Sequence, residues 1–274
     1  MNRLPFWKMQ GSGNDFILID HRQPMVTEEE RVSLVKQLCV PKFGVGADGL
    51  IFIEPATKAA FRWRFFNADG SEAEMCGNGG RCAARFAFLQ GIAPAHMAFE
   101  TLAGLIHAQV KGRRVKLELT PPHGLQLDLA IPLAEGTWQG HFINTGVPHV
   151  VIPVMEVAAV PVVEVGRAIR NHPLFQPAGT NVNFITHTGP QELSIRTYER
   201  GVEDETLACG TGSVAAALIG AHIYDLPSPV AVQTKSGETL TIYFTKDQGK
   251  FGSVFLEGEA VVVFQGEVWL DELR

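Results

Sequence analysis

Apolar positions along this chain follow two periods, and the two alternate in the same order in each half. In the first half an apolar run, Phe16 to Ile19, precedes a stretch of helical spacing from Glu28 to Cys39 and a Gly-Ala-Asp-Gly turn. An alternating segment from Phe61 to Phe66 then leads into a glycine-rich loop at Cys76 and a helix near Arg81 to Gln90. Period two marks a pleated strand, and three-to-four spacing marks a helix with one buried face. The second half repeats the order with Val150 to Ile152, Val162 to Asn171, GTNVNF, Leu193 to Glu199, a loop at Cys209 and a helix near Ser213 to His222. Strand and helix are therefore expected in alternation, twice over.

The repeat has a fixed offset. Cys76 and Cys209 are 133 residues apart (209 − 76), as are Thr101 and Thr234, Gly104 and Gly237, Gly13 and Gly146, and Gly46 and Gly179. Blocks in one order at one spacing point to an internal duplication. Two pseudo-symmetric domains of mixed α/β (α+β) class are the consequence. The first is expected to end near Leu119, ahead of the Pro121-Pro122 break, and the second to begin at residue 120.

Composition limits the partners. The 274 residues are 46% hydrophobic and 19% charged, with a net charge of −6 and no long run of Lys or Arg. Such a chain buries a full core, and it offers nucleic acid or an anionic membrane little attraction. Met1 to Met9 lacks the apolar stretch of a secretory signal, and the uncharged segment Thr206 to Tyr224 is too short in its apolar part to span a bilayer. It is expected to be a buried central helix. Four cysteines make no disulfide scaffold here and include no CxxC pair, so a reducing, cytoplasmic setting without a bound metal is expected. Cys39 and Cys82 read as small core residues, and so do the alternating Phe61, Trp63 and Phe65. Asp15 and Asp48 read as turn residues, Arg81 and Arg85 as outward-facing, and Glu203, Asp204 and Glu205 as an exposed acidic loop.

Cys76 and Cys209 differ from the other two cysteines in the residues on their C-terminal side. In CGNGG and CGTGS a thiol stands directly before glycine and a helix start. The unpaired N–H groups of a helix N-terminus and their partial positive charge hold anions, and the same field favours thiolate over thiol. Two thiols with two carboxylate cradles suit removal of a proton beside a carboxylate by one sulfur and its return by the other. Each helix end contributes at most about 2 kcal/mol, roughly 4 together, whereas enzymes lower barriers by about 8 kcal/mol or more. Positioning and a dry cleft that closes between two lobes are expected to supply the rest.

The strings GSGNDFILID, FFNADGSEAEMCGNGGRC, NTGVPHVV, GTNVNF and YERGVEDETLACGTGSVAAA resemble those of the diaminopimelate epimerases over nearly the whole chain. The resemblance implies an enzyme without pyridoxal phosphate or other cofactor that interconverts LL- and meso-diaminopimelate, on the route to lysine and peptidoglycan precursors. It implies domains in which strands wrap around a central helix, a last strand around Val263 to Leu270 that returns to the first domain (residues 1–119 with 263–274, against 120–262), and a homodimer. By resemblance Cys76 and Cys209 are the acid/base pair. Gly77 with Asn78, and Gly210 with Thr211, are the cradles for the reacting carboxylate. Asn14, Asn67 and Asn181 bind substrate, Glu199 and Arg200 hold the distal amino-acid head, and His149 and Glu199 adjust the thiols.

Two positions depart from a familiar form of the family. Gly49 stands where many members have Gln, and Val147 where many have Asn, both near the substrate's distal end, with Asn144 as a candidate to compensate. Other readings of the same loops stay open. A related racemase acting on histidine or proline shares the chemistry, although proline-racemase types carry His where this chain has Asn78. A thiol redox protein leaves the glycine cradles without a purpose, and a carboxylate-binding module leaves the sulfurs without one.

Overall fold

The structure, a computed structural model, describes residues 3–273. The chain divides into two units, Met1–Leu117 with Gly258–Arg274, and Glu118–Glu257. The first unit contains β1 (Arg3–Gly11), β2 (Asn14–Asp20), α1 (Glu28–Cys39), β3 (Gly49–Glu54), β4 (Phe61–Asn67), β5 (Glu72–Ala73), α2 (Gly77–Leu89), β6 (His96–Thr101), β7 (Gly104–Lys111) and β8 (Arg114–Leu119). β1 and β2 pair antiparallel, β2 and β3 parallel across α1, β3 and β4 antiparallel, β4 and β6 parallel across α2, and β6, β7 and β8 antiparallel in turn. Parallel neighbours need a long crossover, which a helix supplies. β3 is buried at every position, as a strand covered on both faces must be.

The second unit runs β9 (His123–Leu133), β10 (Gly136–Asn144), β11 (Pro148–Pro153), α3 (Val162–Arg170), β12 (Asn181–Gly189), β13 (Glu192–Glu199), β14 (Asp204–Thr206), α4 (Gly210–Ile223), β15 (Val230–Gln233), β16 (Thr239–Asp247) and β17 (Lys250–Glu259). β11 and β12 pair parallel across α3, and β13 and β15 parallel across α4; β9 with β10, β10 with β11, β12 with β13, β15 with β16 and β16 with β17 are antiparallel. β18 (Val261–Trp269) lies antiparallel on β1. The ladder β18-β1-β2-β3-β4-β6-β7-β8 thus repeats as β9-β10-β11-β12-β13-β15-β16-β17. The duplication legible in the spacing is a duplication of topology.

Within each ladder the sheet surrounds one helix. α2 packs on β1, β2, β3 and β7, and α4 on β10, β11, β12, β13, β15 and β16. Val214, Ala215, Ala216, Ala217, Leu218 and Ile219 are all buried in α4, so the uncharged segment is a central helix as expected. Among the described residues no helix is long and apolar enough to cross a membrane. Phe61, Trp63, Phe65, Cys39 and Cys82 are buried, as their spacing predicts. The outer helix α1 starts at a capping box in which the Glu30 carboxylate accepts from the Thr27 backbone N–H at 2.8 Å.

Three expectations are corrected. Both cysteine-led helices begin earlier than their apolar periodicity predicts, at Gly77 rather than near Arg81 and at Gly210 rather than near Ser213. Their glycines read as loop because glycine is the poorest common helix former after proline. Packing selects them here. A Cβ at Gly79 would lie 3.2 Å from Ile51 and 3.3 Å from Trp63, and one at Gly212 only 2.4 Å from the Asn183 side-chain oxygen. Arg81 faces inward, fully buried and donating to Ser12 Oγ at 2.7 Å, while Arg85 is half-buried and donates to the Ala260 carbonyl at 2.5 Å. Nor is Glu205 exposed. It is half-buried between Arg196 at 2.7 Å and Lys235 at 2.8 Å, while Glu203 pairs with Arg170.

Candidate active site

In the first unit Cys76 is the N-cap of α2, with extended backbone at φ −143° and ψ 119°. Its carbonyl accepts from Gly80 N at 2.8 Å, which closes the first helical turn behind the sulfur. A Cβ at Gly77 would meet nothing within 4 Å. Space therefore lies open where the resemblance puts the reacting carboxylate, and only hydrogen faces it. Asn78, one residue on, is buried, and its side-chain oxygen has no hydrogen-bond partner among the described residues.

The β1–β2 turn brings Asn14 to the sulfur. The turn is tight, with Ser12 at φ 58° and Gly13 at φ 81°. Arg81 holds it from within α2, through Ser12 Oγ. Cys76 Sγ lies 3.6 Å from Asn14 Oδ1, and Asn14 Nδ2 donates to Asp48 Oδ2 at 2.5 Å. Asp48 and Asp15 lock together, each carboxylate accepting the other's backbone N–H, at 2.9 and 3.2 Å. Lys8 pairs with Asp15 at 2.7 Å and reaches the Gly46 carbonyl. Asp15 and Asp48 are turn residues as expected, but the turn they fix is the one that aims Asn14. Asn67 is exposed, and its amide donates to Ser71 Oγ at 3.0 Å.

Cys209 caps α4 in the same way, at φ −118° and ψ 112°, and its carbonyl accepts from Ser213 N at 2.9 Å and Ser213 Oγ at 3.0 Å. Its sulfur lies 3.6 Å from Thr211 Oγ1, and Thr145 Oγ1 donates to the Thr211 carbonyl at 3.0 Å. Beneath this turn sits Asn183, fully buried, donating to the Val150 carbonyl at 3.0 Å and accepting from Thr197 Oγ1 at 3.0 Å.

Asn183 also fixes the state of His149. Its amide nitrogen meets His149 Nδ1 at 3.1 Å, so Nδ1 accepts and the ring proton sits on Nε2. Burial, with the nearby charge of Arg200 acting the same way, pushes the imidazole pKa down to about 3. His149 is neutral at any ordinary pH, and an effect on a thiol from it would come by hydrogen bonding rather than by charge. Nε2 has no hydrogen-bond partner among the described residues.

Asn181, Glu199 and Arg200 come together at one end of β12 and β13. Asn181 Nδ2 donates to the Pro148 carbonyl at 2.9 Å while its Oδ1 accepts the Arg200 backbone N–H at 2.9 Å. Asn181 thereby sets the course of the chain at Arg200. Burial holds the Glu199 carboxyl above the usual carboxylate range, partly offset by the Thr206 hydroxyl at 2.9 Å. Of the two departures Gly49 is explained by space, and nothing in the structure explains Val147. A Cβ at Gly49 would fall 2.5 Å from the Phe65 ring and 2.6 Å from the Phe66 carbonyl, so this position carries no side chain. Asn144, the candidate to compensate, already accepts from Gly146 N at 2.9 Å.

Reading the sequence alone missed Ser12, Thr145 and Asn183, and misplaced Arg81. Asn183 carried a signal: it stands two residues from Asn181 in an otherwise apolar strand, and period two sets both on one face. Among the described residues no group of three His, Cys, Asp or Glu side chains is placed to share a metal ion.

The model of the diaminopimelate epimerase family matches residues 6–123 and residues 141–263. The chain belongs to that family. The two matched segments fall one in each half of the duplication. Among relatives, the diaminopimelate epimerase of Hydrogenobaculum sp. is 53% identical, over 94% of this chain and 96% of its own. That of Aquifex aeolicus is 49% identical, over 97% and 98%. Solved structures extend the fold further than the family. A PhzF-family phenazine biosynthesis protein of Bacillus anthracis matches with a TM-score of 0.77 at 20% identity, covering 98% of this chain and all of its own. A hydroxyproline epimerase of Agrobacterium vitis matches at 0.70 and 16%, covering 98% and 93%. At such identities the likeness is one of fold.

Proposed function

We propose that the protein interconverts LL- and meso-diaminopimelate, with Cys76 and Cys209 as the acid/base pair. The observation that carries this reading is that each unit of a family member sets one cysteine as the N-cap of its central helix. One thiolate takes the α-proton and the other thiol returns one, and their roles exchange in the reverse direction. Charge that develops on the carboxylate falls to the backbone N–H groups of Gly77 and Asn78, and of Gly210 and Thr211, reinforced by the two helix ends.

Asn14, Asn67, Asn181, Glu199 and Arg200 bind the substrate. Because Gly49 has no side chain and Asn144 is engaged in its own turn, the distal head is read by Arg200 and Glu199. A guanidinium grips a carboxylate in two-pronged fashion, and a carboxylate accepts from an ammonium group. His149 and Glu199 adjust the thiols' proton affinity, His149 as a neutral donor and Glu199 as a carboxyl whose own proton affinity burial raises. No cofactor enters this scheme.

The working molecule in this reading is a homodimer in the cytoplasm. Val263 and Phe264 on β18 are about half exposed, at 54% and 47%, and a paired surface would shelter them. Two thiols that must stay reduced suit a reducing compartment. The test is incubation of reduced protein with LL-diaminopimelate in deuterated water without added cofactor. Deuterium at the α-carbon together with meso product is expected. Exchange into histidine or proline with none into diaminopimelate would overturn the substrate, and no exchange into any amino acid would overturn the reaction.

A further inference from the structure

The direction of one amide decides which way the Asn14–Cys76 contact works. An amide side chain presents an acceptor at one end and donors at the other, and which end meets the sulfur sets which protonation state it favours. Here the far end meets a carboxylate. Asp48 Oδ2 lies 2.5 Å from Asn14 Nδ2, and an ionised carboxylate only accepts, so Asn14 must turn its nitrogen to Asp48 and its oxygen to Cys76. Sγ at 3.6 Å from that oxygen is then a thiol that donates. The reciprocal bonds between Asp15 and Asp48 hold the carboxylate in register with the turn. Arg81, through Ser12 Oγ, holds the turn from the opposite side.

The contact opposes the helix end. An N-cap field favours thiolate, whereas an acceptor bonded to the S–H favours thiol. On the second cysteine the corresponding neighbour is a hydroxyl, Thr211 Oγ1 at 3.6 Å. A hydroxyl can donate to a thiolate as readily as it accepts from a thiol. The two contacts differ in kind: an amide oxygen that only accepts at Cys76, and a hydroxyl that can do either at Cys209.

We propose that Asp48 is a positioning residue: by fixing the direction of the Asn14 amide it favours the thiol form of Cys76 in the resting enzyme. This rests on the assignment of the two cysteines above. Asp48 touches neither the sulfur nor the substrate. It acts through Asn14.

The measurement is the pH dependence of iodoacetamide alkylation of Cys76, followed by peptide mass in a full-length Cys209→Ala background, which needs no catalysis. Asp48→Ala frees the amide to turn its N–H toward sulfur, and the midpoint of Cys76 alkylation should fall by about one pH unit, roughly tenfold in thiolate at neutral pH. Asp48→Asn removes the charge but keeps an oxygen that accepts from Asn14 Nδ2, and should leave the midpoint within about 0.3 units of the parent. Equal shifts in both variants would show that the charge of Asp48 alone acts on the sulfur, and would overturn the proposal. So would no shift in Asp48→Ala. Asn14→Ala keeps the parent's turn and lacks the amide, and its midpoint should also fall; an unchanged midpoint there would overturn the contact itself. Because alkylation reads the thiol directly, a failure here is separate from a failure of the two-cysteine assignment, which activity reads.

Discussion

One methyl group tests the packing that sets Cys209 in place. In Gly212→Ala the new Cβ would lie 2.4 Å from Asn183 Oδ1 and 3.3 Å from both Cβ and Sγ of Cys209. Real contacts of this kind stop near 3.0 Å, so one partner must give by at least 0.6 Å (3.0 − 2.4). If Asn183 gives, it leaves Val150 O, His149 Nδ1 and Thr197 Oγ1, three hydrogen bonds in a fully buried place. Losing the three at about 1 kcal/mol each costs about 3 kcal/mol. At about 2–4 °C per kcal/mol for a chain of this size, Tm falls by roughly 6–12 °C. If α4 gives instead, the sulfur moves by half an ångström or more, and a misplacement approaching 1 Å costs on the order of 100-fold in rate. The assays are thermal melting by circular dichroism and the rate of epimerisation. Gly77→Ala is the matched contrast, because its Cβ meets nothing within 4 Å. Its Tm should hold while KM rises, since the methyl would stand in the proposed carboxylate cradle. A Gly212→Ala protein with Tm within about 2 °C and kcat within about twofold of the parent would refute this account of the turn.

Two titratable groups give further outcomes. His149, with its pKa pushed down to about 3, takes up a proton near pH 6.5 only when unfolded, so the unfolded state binds more protons between those values and stability must rise with pH across that window. Thermal melts from pH 4.5 to 7 should show a shallower slope for His149→Gln than for the parent, with some slope left by His21 and His141, whose imidazoles burial also holds low; an equal slope would contradict the buried neutral histidine. Glu205→Ala strips the shared carboxylate from Arg196 and Lys235 and should lower unfolding free energy by about 1–2 kcal/mol in urea, between a solvated pair and a buried one; a loss below about 0.5 kcal/mol would return Glu205 to the solvated surface.

Much of the fold was legible because its signals are local. The Phe16 to Ile19 run, the helix from Glu28 and the alternating strand from Phe61 each announce themselves through one period, and the offset of 133 residues tied the halves together before any strand pairing was known. What failed to show was set by contacts between distant residues. Gly79 and Gly80 stand inside a helix because a Cβ there would press on Ile51, Trp63 and Leu117 at 3.0–3.3 Å, which favours glycine, and nothing within CGNGG says so. Arg81 looks solvated in sequence because its partners, Ser12 and the Glu259 carbonyl, lie 69 and 178 residues away. Glu205 sits in a run of three acidic residues and is sorted from its neighbours only by Arg196 and Lys235. At the candidate site, the placing of one cysteine at the start of each central helix was legible from its loop. The supporting amides and carboxylates were not, since Asp48 and Asn183 act by holding another side chain in one direction.

The central claim is that two sulfurs, one from each half, share a single proton transfer. Its most direct test is LL-diaminopimelate in deuterated water with Cys76→Ala and Cys209→Ala proteins of verified fold. Each single variant should lose epimerisation by several orders of magnitude, since neither sulfur can both remove and return the proton across the stereocentre. Epimerisation at or near the parent rate in either variant would contradict the account.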